Sequence, residues 1–371
     1  MTKPESHGGA EAALDDFIRH LRGIAVQALA RMYDRNRKRF VFRLRRCAES
    51  VSAEGLSHRY TAIALIGLAG EDEEAIKEVT GHRDCESVCR GLIDDAGDAT
   101  NLGDVAVTLW AATVIGLPAE SLTQKLKAMQ PDVNPFPTVE LSWTLQALCL
   151  SGENQDGLLQ PLARRLLSAF NADAGMFPHL IGEKSPGPRS HVSCFADTVY
   201  PIQALASYHE RTGDPAALKA ATRCAEQICR IQGPHGQWWW HYDNRTGDVI
   251  EPYPVYAVHQ DAMAPMALLA LKQSGGPDFD HAIRRGVEWL NHSPEIDASL
   301  VDEGQNLIWR KVARKEPSKL SRYAQAAAAR VHPSARVPGL DILFPPVAVD
   351  FETRPYHMGW ILWAWPGSVW R

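Results

Sequence analysis

Residues 195–213 read FADTVYPIQALASYHERTG, and residues 214–231 read DPAALKAATRCAEQICRI. The first stretch carries apolar or small residues around most of its circumference, as expected of a helix packed on nearly every side. It stops at Gly213, a residue that readily takes the left-handed conformation closing a helix. The second stretch opens on Asp214 and Pro215, a capping acid followed by a proline in the first turn, and is more polar and amphipathic. An apolar helix joined by a tight turn to an amphipathic one is a unit that cannot bury its faces alone.

The unit recurs. Ser57–Gly70, Gly103–Gly116, Thr138–Gly152, Val258–Gly275 and Thr353–Trp365 share the form of a polar start, an apolar run and a Gly or polar stop. Amphipathic stretches lie between them, near 11–33, 73–91, 118–129, 157–171, 214–231 and 277–292. Leu158, Leu159, Leu162 and Leu166 mark one apolar stripe, and Ile283, Val287 and Leu290 another, at helical spacings. Helices of two polarities that alternate about six times pack as two concentric layers. The expected fold is therefore all-α, an α/α toroid of about six inner and six outer helices. Strand signals are confined to short β-hairpins before inner helices, at Arg39–Leu44, Gly175–Ile181 and Gly236–Ile250, so the hairpins gather on one face. An open solenoid would need capping repeats, which are not evident.

The 371 residues would allow two or three domains by length, but the repeat makes residues 1–371 a single toroid. Residues 1–10 read as a flexible N-terminus and 294–350 as an insertion or lid. Ser321-Arg322-Tyr323 resembles Ser57-His58-Arg59-Tyr60, which offers 318–330 as an alternative sixth inner helix, with 354–366 preferred.

Lys and Arg number 39 and Asp and Glu 44, a net charge of −5. Such a chain has no general attraction to a phosphate backbone, so no nucleic-acid partner is expected. The basic run RNRKRFVFRLRR at Arg35–Arg46 reads as a solvated hairpin and helix end, and Asp94, Asp95 and Asp98 as a solvated turn. Seven cysteines at irregular spacing form no disulfide framework and read as reduced, mostly buried thiols. The N-terminus lacks the apolar core of a signal peptide, and no run reaches the ~18 apolar residues of a membrane span. A cytoplasmic protein with no integral membrane span is the expectation. HEXXH, paired CXXC, an EF-hand loop, a glycine-rich phosphate loop and GxSxG are all absent, so no metal and no cofactor are expected.

In a toroid of this kind the inner helices run in one direction, and the long loops leading into them open on one face. Function sits preferentially on such loops, and helix N-termini there suit anionic or hydroxyl-rich ligands. Polar and aromatic residues collect at these starts: His58, Arg59 and Tyr60; Asp104; Glu140; His179; His191, Asp197 and Tyr200; then Trp238 to Trp240, His241, Tyr242, Tyr256, His259, Gln260 and Asp261; and finally Asp350, Glu352, Arg354, Tyr356 and His357. The catalytic candidates are Asp197, Asp261, His259, Tyr256 and His241. The substrate-binding candidates are Trp238, Trp240, Tyr242, Tyr200, Arg59, Tyr60, Asp104, His179, Gln260, Arg354, Tyr356 and His357. Asp197 and Asp261 are the pair that glycoside hydrolysis would need. A lyase or epimerase would instead use Tyr256, His259 or His241 as base and acid.

Gln232–Trp238, QGPHGQW, resembles the QxxxGxW signature of squalene-cyclase and prenyltransferase repeats, in which Gln and Trp tie an outer helix to the next hairpin. Asp173–Phe177 (DAGMF) and Asp302–Trp309 (DEGQNLIW) are weaker relatives, so the resemblance spans about residues 160–310. It implies the toroid. It does not imply the chemistry, because six-hairpin toroids also include glycosidases, uronate lyases and sugar epimerases. The DxDD acid of class II terpene cyclases is missing, and the separated Asp, Cys and His of prenyltransferase zinc sites is not placed. The expected function is a carbohydrate-active enzyme with a small-molecule or oligosaccharide substrate. A terpenoid cyclase or prenyl-binding enzyme with an isoprenoid ligand is the alternative, and a non-catalytic glycan- or protein-binding toroid a third.

Overall fold

The computed structural model describes residues 7–48, 50–82, 84–152, 157–182, 187–317, 319–333 and 335–367. The first six residues of the N-terminal stretch 1–10 lie outside them. The helices are α1 (His7–Met32), α2 (His58–Leu68), α3 (Glu73–Thr80), α4 (Glu86–Ala96), α5 (Leu102–Ile115), α6 (Glu120–Met129), α7 (Thr138–Leu150), α8 (Leu159–Ala169), α9 (Ala196–Thr212) and α10 (Pro215–Arg230). Helix α11 (Ala264–Gln273) follows directly on a π-helical turn, His259–Met263. Then come α12 (Asp280–Asn291), α13 (Leu320–Val331), the short α14 (Leu340–Leu343) and α15 (Pro355–Ala364).

The fold is an α/α toroid. Among the described residues, α2, α5, α7, α9, α11 and α15 form the inner ring, each packed on the next, and α15 returns to α2. Helix α1 packs on α15, while α4, α6, α8 and α10 pack on inner helices and α12 packs on the π turn. The polarity of the sequence explains the layering. Nearly every residue of α5 from Leu102 to Ala112 is buried, whereas α10 buries only Ala217, Ala220, Ala221, Cys224, Ala225, Gln227 and Ile228. The sixth inner helix is α15, not the 318–330 segment. Helix α13 lies outside the ring on the strand Val249–Glu251.

Three local expectations differ from the structure. The stretch 73–91 is two helices rather than one, because Gly81 closes α3 in the left-handed conformation. Asp94 and Asp95 sit in the last turn of α4 rather than in a loop, and Asp95 pairs with Arg39 at 2.5 Å. The basic run is also more engaged than a solvated hairpin. Its strand Arg43–Cys47 pairs antiparallel with Ser50–Glu54 on one side and Glu352–Thr353 on the other. There Arg43 and Arg45 reach Glu352 at 2.8 and 3.2 Å, and Arg46 reaches Asp302 at 2.6 Å. The seven cysteines are free thiols, and burial holds Cys85, Cys89 and Cys149 up at about 12. Among the described residues no helix is long and apolar enough to cross a membrane.

The axis of the ring is filled by aromatic side chains. Trp110 packs on Trp360 at 5.2 Å and edge-on to Trp363 at 5.4 Å, and the Trp360 indole N–H donates to the Tyr200 hydroxyl at 2.9 Å. The ring closes where α2 and α15 cross on two glycines. A Cβ on Gly67 would fall inside the Gly359 carbonyl oxygen, and one on Gly359 would stand 2.5 Å from the Ile63 carbonyl oxygen. Both obstacles are backbone, so relief requires the helices to part. Gly359→Ala is therefore expected to lower stability by about 3 kcal/mol in denaturant unfolding. Gly23→Ala, on an exposed face of α1 with nothing within 4 Å of the added atom, is expected to raise it by about 1 kcal/mol.

Candidate active site

The first turns of the inner helices converge on a cavity of about 260 Å³. Arg59, Tyr60 and Ile63 come from α2, Val139 and Trp143 from α7, Ala196 and Tyr200 from α9, His259 and Met263 from the π turn, and Tyr356 from α15. Trp240 and Tyr256 enter from the hairpin segment before α11. Arg310 enters from the 294–350 segment, because the strand Lys311–Ala313 pairs with Val255–Tyr256 and with Ala348–Asp350. Last-turn residues of the same helices, such as Gly67, Leu150 and Gln273, line a separate cavity of about 790 Å³. The inner helices thus point their N-termini to one face.

The arginines in and behind the small cavity are anchored by carboxylates. Arg59 donates to Asp104 at 2.7 Å and to the Asn101 side-chain oxygen at 2.5 Å, and Asn101 in turn donates to Glu140 at 3.1 Å. Arg354 donates to the Tyr60 hydroxyl at 2.8 Å and to Glu352 at 2.5 Å. Arg310 reaches Glu352 at 3.1 Å. Burial alone would raise the Glu352 carboxyl, but Arg310, Arg354 and Arg45 outweigh it and bring its pKa to about 2. Glu352 is therefore a fixed negative hub that aims Arg310 and Arg354.

His259 is buried between the rings of Phe195, at 4.5 Å, and Tyr256, at 5.0 Å. Its Nδ1 has no hydrogen-bond partner. Burial pushes its pKa down to about 3; His357 and Arg310 act in the same direction, against a hydrogen bond from the ring to the Trp238 backbone carbonyl. Burial raises the phenols of Tyr256 and Tyr200 as well, and Tyr356 to about 12. The cavity thus presents a neutral imidazole, protonated phenols and fixed guanidinium groups. A π-helical turn at its base is a local rearrangement found often at functional sites.

The other sequence candidates fall into three places. Asp261 is fully buried beneath the cavity, where His357 Nε2 approaches both carboxylate oxygens at 2.8 Å and the Trp365 indole donates to the Asp261 carbonyl at 2.6 Å. Gln260 accepts from the Trp238 amide at 3.1 Å and donates to the Tyr256 carbonyl at 3.1 Å. Trp238 and Tyr242 are core residues, packed away from the cavity. Asp197 is fully buried, accepting from the Cys194 amide at 2.8 Å with His179 Nδ1 at 3.0 Å. His179, Cys194 and Asp197 each place a ligand-type atom within 4.8 Å of the others, and the Asp197 hydrogen bonds already hold that group together. His241 is buried beside the cavity, stacked on the cavity-lining Trp240 at 4.0 Å. Asp104 and Arg354 stand behind the wall as anchors. Trp143 and Arg310 line the cavity without having been candidates. Trp143 lies three residues after Glu140, on the same helix face, which is a readable signal. Arg310 lies far along the chain and only strand pairing brings it in.

The QxxxGxW segment does here what the resemblance implies. Gln232 donates to the carbonyls of Gly236 and Ala282, both at 2.9 Å, and Trp238 fills the space left by the missing side chain of Gly286.

No protein-family profile matches the chain, and no curated protein matches it in sequence. Solved structures do match in fold. A cellobiose 2-epimerase from Bacillus thermoamylovorans B4167 superposes with a TM-score of 0.63 at 11% identity, covering 95% of this chain and 100% of that one. An unsaturated glucuronyl hydrolase specific for heparin gives 0.62 at 14% identity, over 94% and 96%. A possible member of the GH105 family from Salmonella enterica subsp. enterica serovar Paratyphi A str. ATCC 9150 gives 0.56 at 11%, over 94% and 93%. These likenesses establish the shared toroid.

The depressed His259 pKa sets a pH dependence. Above its ordinary value of 6.5 the ring is neutral folded or unfolded. Between 6.5 and about 3 the unfolded chain takes up a proton that the folded chain refuses, so stability falls as pH falls. Burial lowers His58, His191 and His241 in the same sense. Melting temperatures at pH 7 and 4.5 are expected to differ less for His259→Asn than for the parent chain.

Proposed function

We propose that this chain is a carbohydrate-active enzyme that holds one sugar unit in the 260 Å³ cavity and works by proton transfer through His259 and Tyr256. The observation that carries the reading is the mixed lining. Trp143, Trp240 and several tyrosine rings supply faces and edges for a sugar ring, while Arg59, Arg310 and His259 supply convergent polar groups for its oxygens. An isoprenoid carbocation would meet guanidinium groups on the cavity wall, a repulsive environment. Two-carboxylate hydrolysis fits less well, because Asp197 and Asp261 are fully buried and engaged by protein donors. A sugar substrate is also in keeping with the fold neighbours, an epimerase and a glucuronyl hydrolase.

In this reading sugar binding shifts the His259 ring enough to expose its buried, unpartnered Nδ1, which takes a proton from a carbon next to a sugar carbonyl or holds the oxygen beside it. The Tyr256 and Tyr356 hydroxyls donate on the other side. Arg59 and Arg310 stabilise negative charge that develops on oxygen. The 294–350 segment serves as the cover that brings Arg310 into place.

The test is solvent exchange. Incubated in D₂O with a panel of reducing mono- and disaccharides, the protein is expected to place deuterium at a single sugar carbon, read by NMR. His259→Asn and Tyr256→Phe should each slow that exchange about 100-fold or more while near-UV circular dichroism stays unchanged. Glycoside hydrolysis without deuterium uptake, abolished in Asp197→Asn or Asp261→Asn, would replace this reading with a hydrolase.

A further inference from the structure

The geometry points to a phosphate-monoester subsite on the cavity rim, formed by Arg189, Arg322 and His241, so that the sugar handled here carries a phosphate group. The inference takes the sugar from the reading above and adds the phosphate from a separate set of residues.

Helix α13 carries Arg322, whose guanidinium carbon stands 4.6 Å from the centre of the Trp240 ring. Trp240 lines the cavity and stacks on His241 at 4.0 Å. Arg189, from the loop before α9, places Nη2 3.5 Å from His241 Nε2. Two cations and an imidazole are therefore linked by pairwise contacts to one another or to a cavity-lining indole.

The balance of charge separates this pair from the other arginines of the site. Arg59, Arg310 and Arg354 each hold a carboxylate. Arg189 and Arg322 have no carboxylate partner among the described residues. The acids of the adjoining loops are taken, Asp197 by His179 and Asp243 by Arg245 at 2.6 Å. Both arginines are half-buried. Burial and Arg322 together lower the pKa of Arg189, and the two cations help keep His241 neutral. Like charges held together without a counter-ion are the condition an anion relieves.

The arrangement is built by packing. Helix α13 is docked by a hydrogen bond between His191 Nε2 and the Ala326 carbonyl at 3.0 Å and by Arg245 donating to the Ala329 carbonyl at 2.7 Å. Arg330 donates to the Ser190 hydroxyl at 3.2 Å, next to Arg189 in the chain. The anion is a phosphate by charge. A phosphate monoester carries about −1.5 to −2 near neutral pH, matching two guanidinium groups, and offers oxygens for both planar forks. A carboxylate would leave one cation unmatched.

Titration calorimetry with glucose 1-phosphate, glucose 6-phosphate, glucose, glucuronate and inorganic phosphate tests this. The better of the two hexose phosphates is expected to bind at least tenfold tighter than glucose and tighter than glucuronate. Inorganic phosphate alone should bind, and more weakly at higher salt. Arg189→Ala and Arg322→Ala should each remove the tenfold preference while leaving glucose binding unchanged. Arg322→Lys, which keeps the charge and the helix, should lose most of the preference and guards against a variant that does not fold. Equal affinity for phosphorylated and neutral sugars, or a preference that survives in all three variants, overturns the subsite. Tighter glucuronate than hexose phosphate overturns the phosphate assignment in favour of a carboxylate. Inorganic phosphate bound through the two arginines with no sugar bound leaves the subsite standing and sinks the sugar reading. Glucose bound with no phosphate effect does the reverse, and no binding of any probe overturns both.

Discussion

The crossing of α2 and α15 on Gly67 and Gly359 is the contact on which the rest of the molecule hangs. A toroid is stable only as a closed ring, because an open one would leave two apolar helix faces in water. Closure brings the last inner helix beside the first, and with it Tyr356 and Arg354 beside Tyr60. It also places Trp360 under Tyr200 and so fills the axis. A side chain on either glycine would separate the helices and open both the floor and one wall.

A second level of organisation is electrostatic. Glu352, on a short strand beside the basic hairpin, collects Arg43, Arg45, Arg310 and Arg354. Two of these belong to the N-terminal hairpin, Arg310 lines the cavity and Arg354 stands behind its wall, so one carboxylate couples the hairpin to the site. Truncating Glu352 would leave several partly buried cations facing one another, which is costlier than losing a surface pair. The rim pair Arg189 and Arg322 has no such hub, and that asymmetry is what singles it out.

Much of the architecture was legible from pattern. The apolar inner runs and the amphipathic outer ones, with their caps and terminal glycines, mark ten or more helices and their two layers. The outer stretch at 73–91 has a helical pattern throughout, yet the left-handed turn at Gly81 divides it. Within the site, Arg59, Tyr60, Tyr200, Trp240, Tyr256, His259 and Tyr356 are found in the cavity wall, since helix starts in a toroid face one side. Trp238, in the same run as Trp240, packs in the core, where the missing side chain of Gly286 leaves room for it.

What the sequence by itself determined is the alternation of apolar and amphipathic helices, and hence the ring, because helical periodicity and capping are local. Which carboxylates are spent as anchors, which imidazole is left with a free nitrogen, and which arginines lack a counter-ion were decided only in three dimensions. Those properties depend on burial and on partners far apart in the chain: Arg310 reaches the cavity through strand pairing, and Arg322 reaches Trp240 through the docking of α13. Composition records the charges, but only the tertiary structure decides which of them neutralise each other.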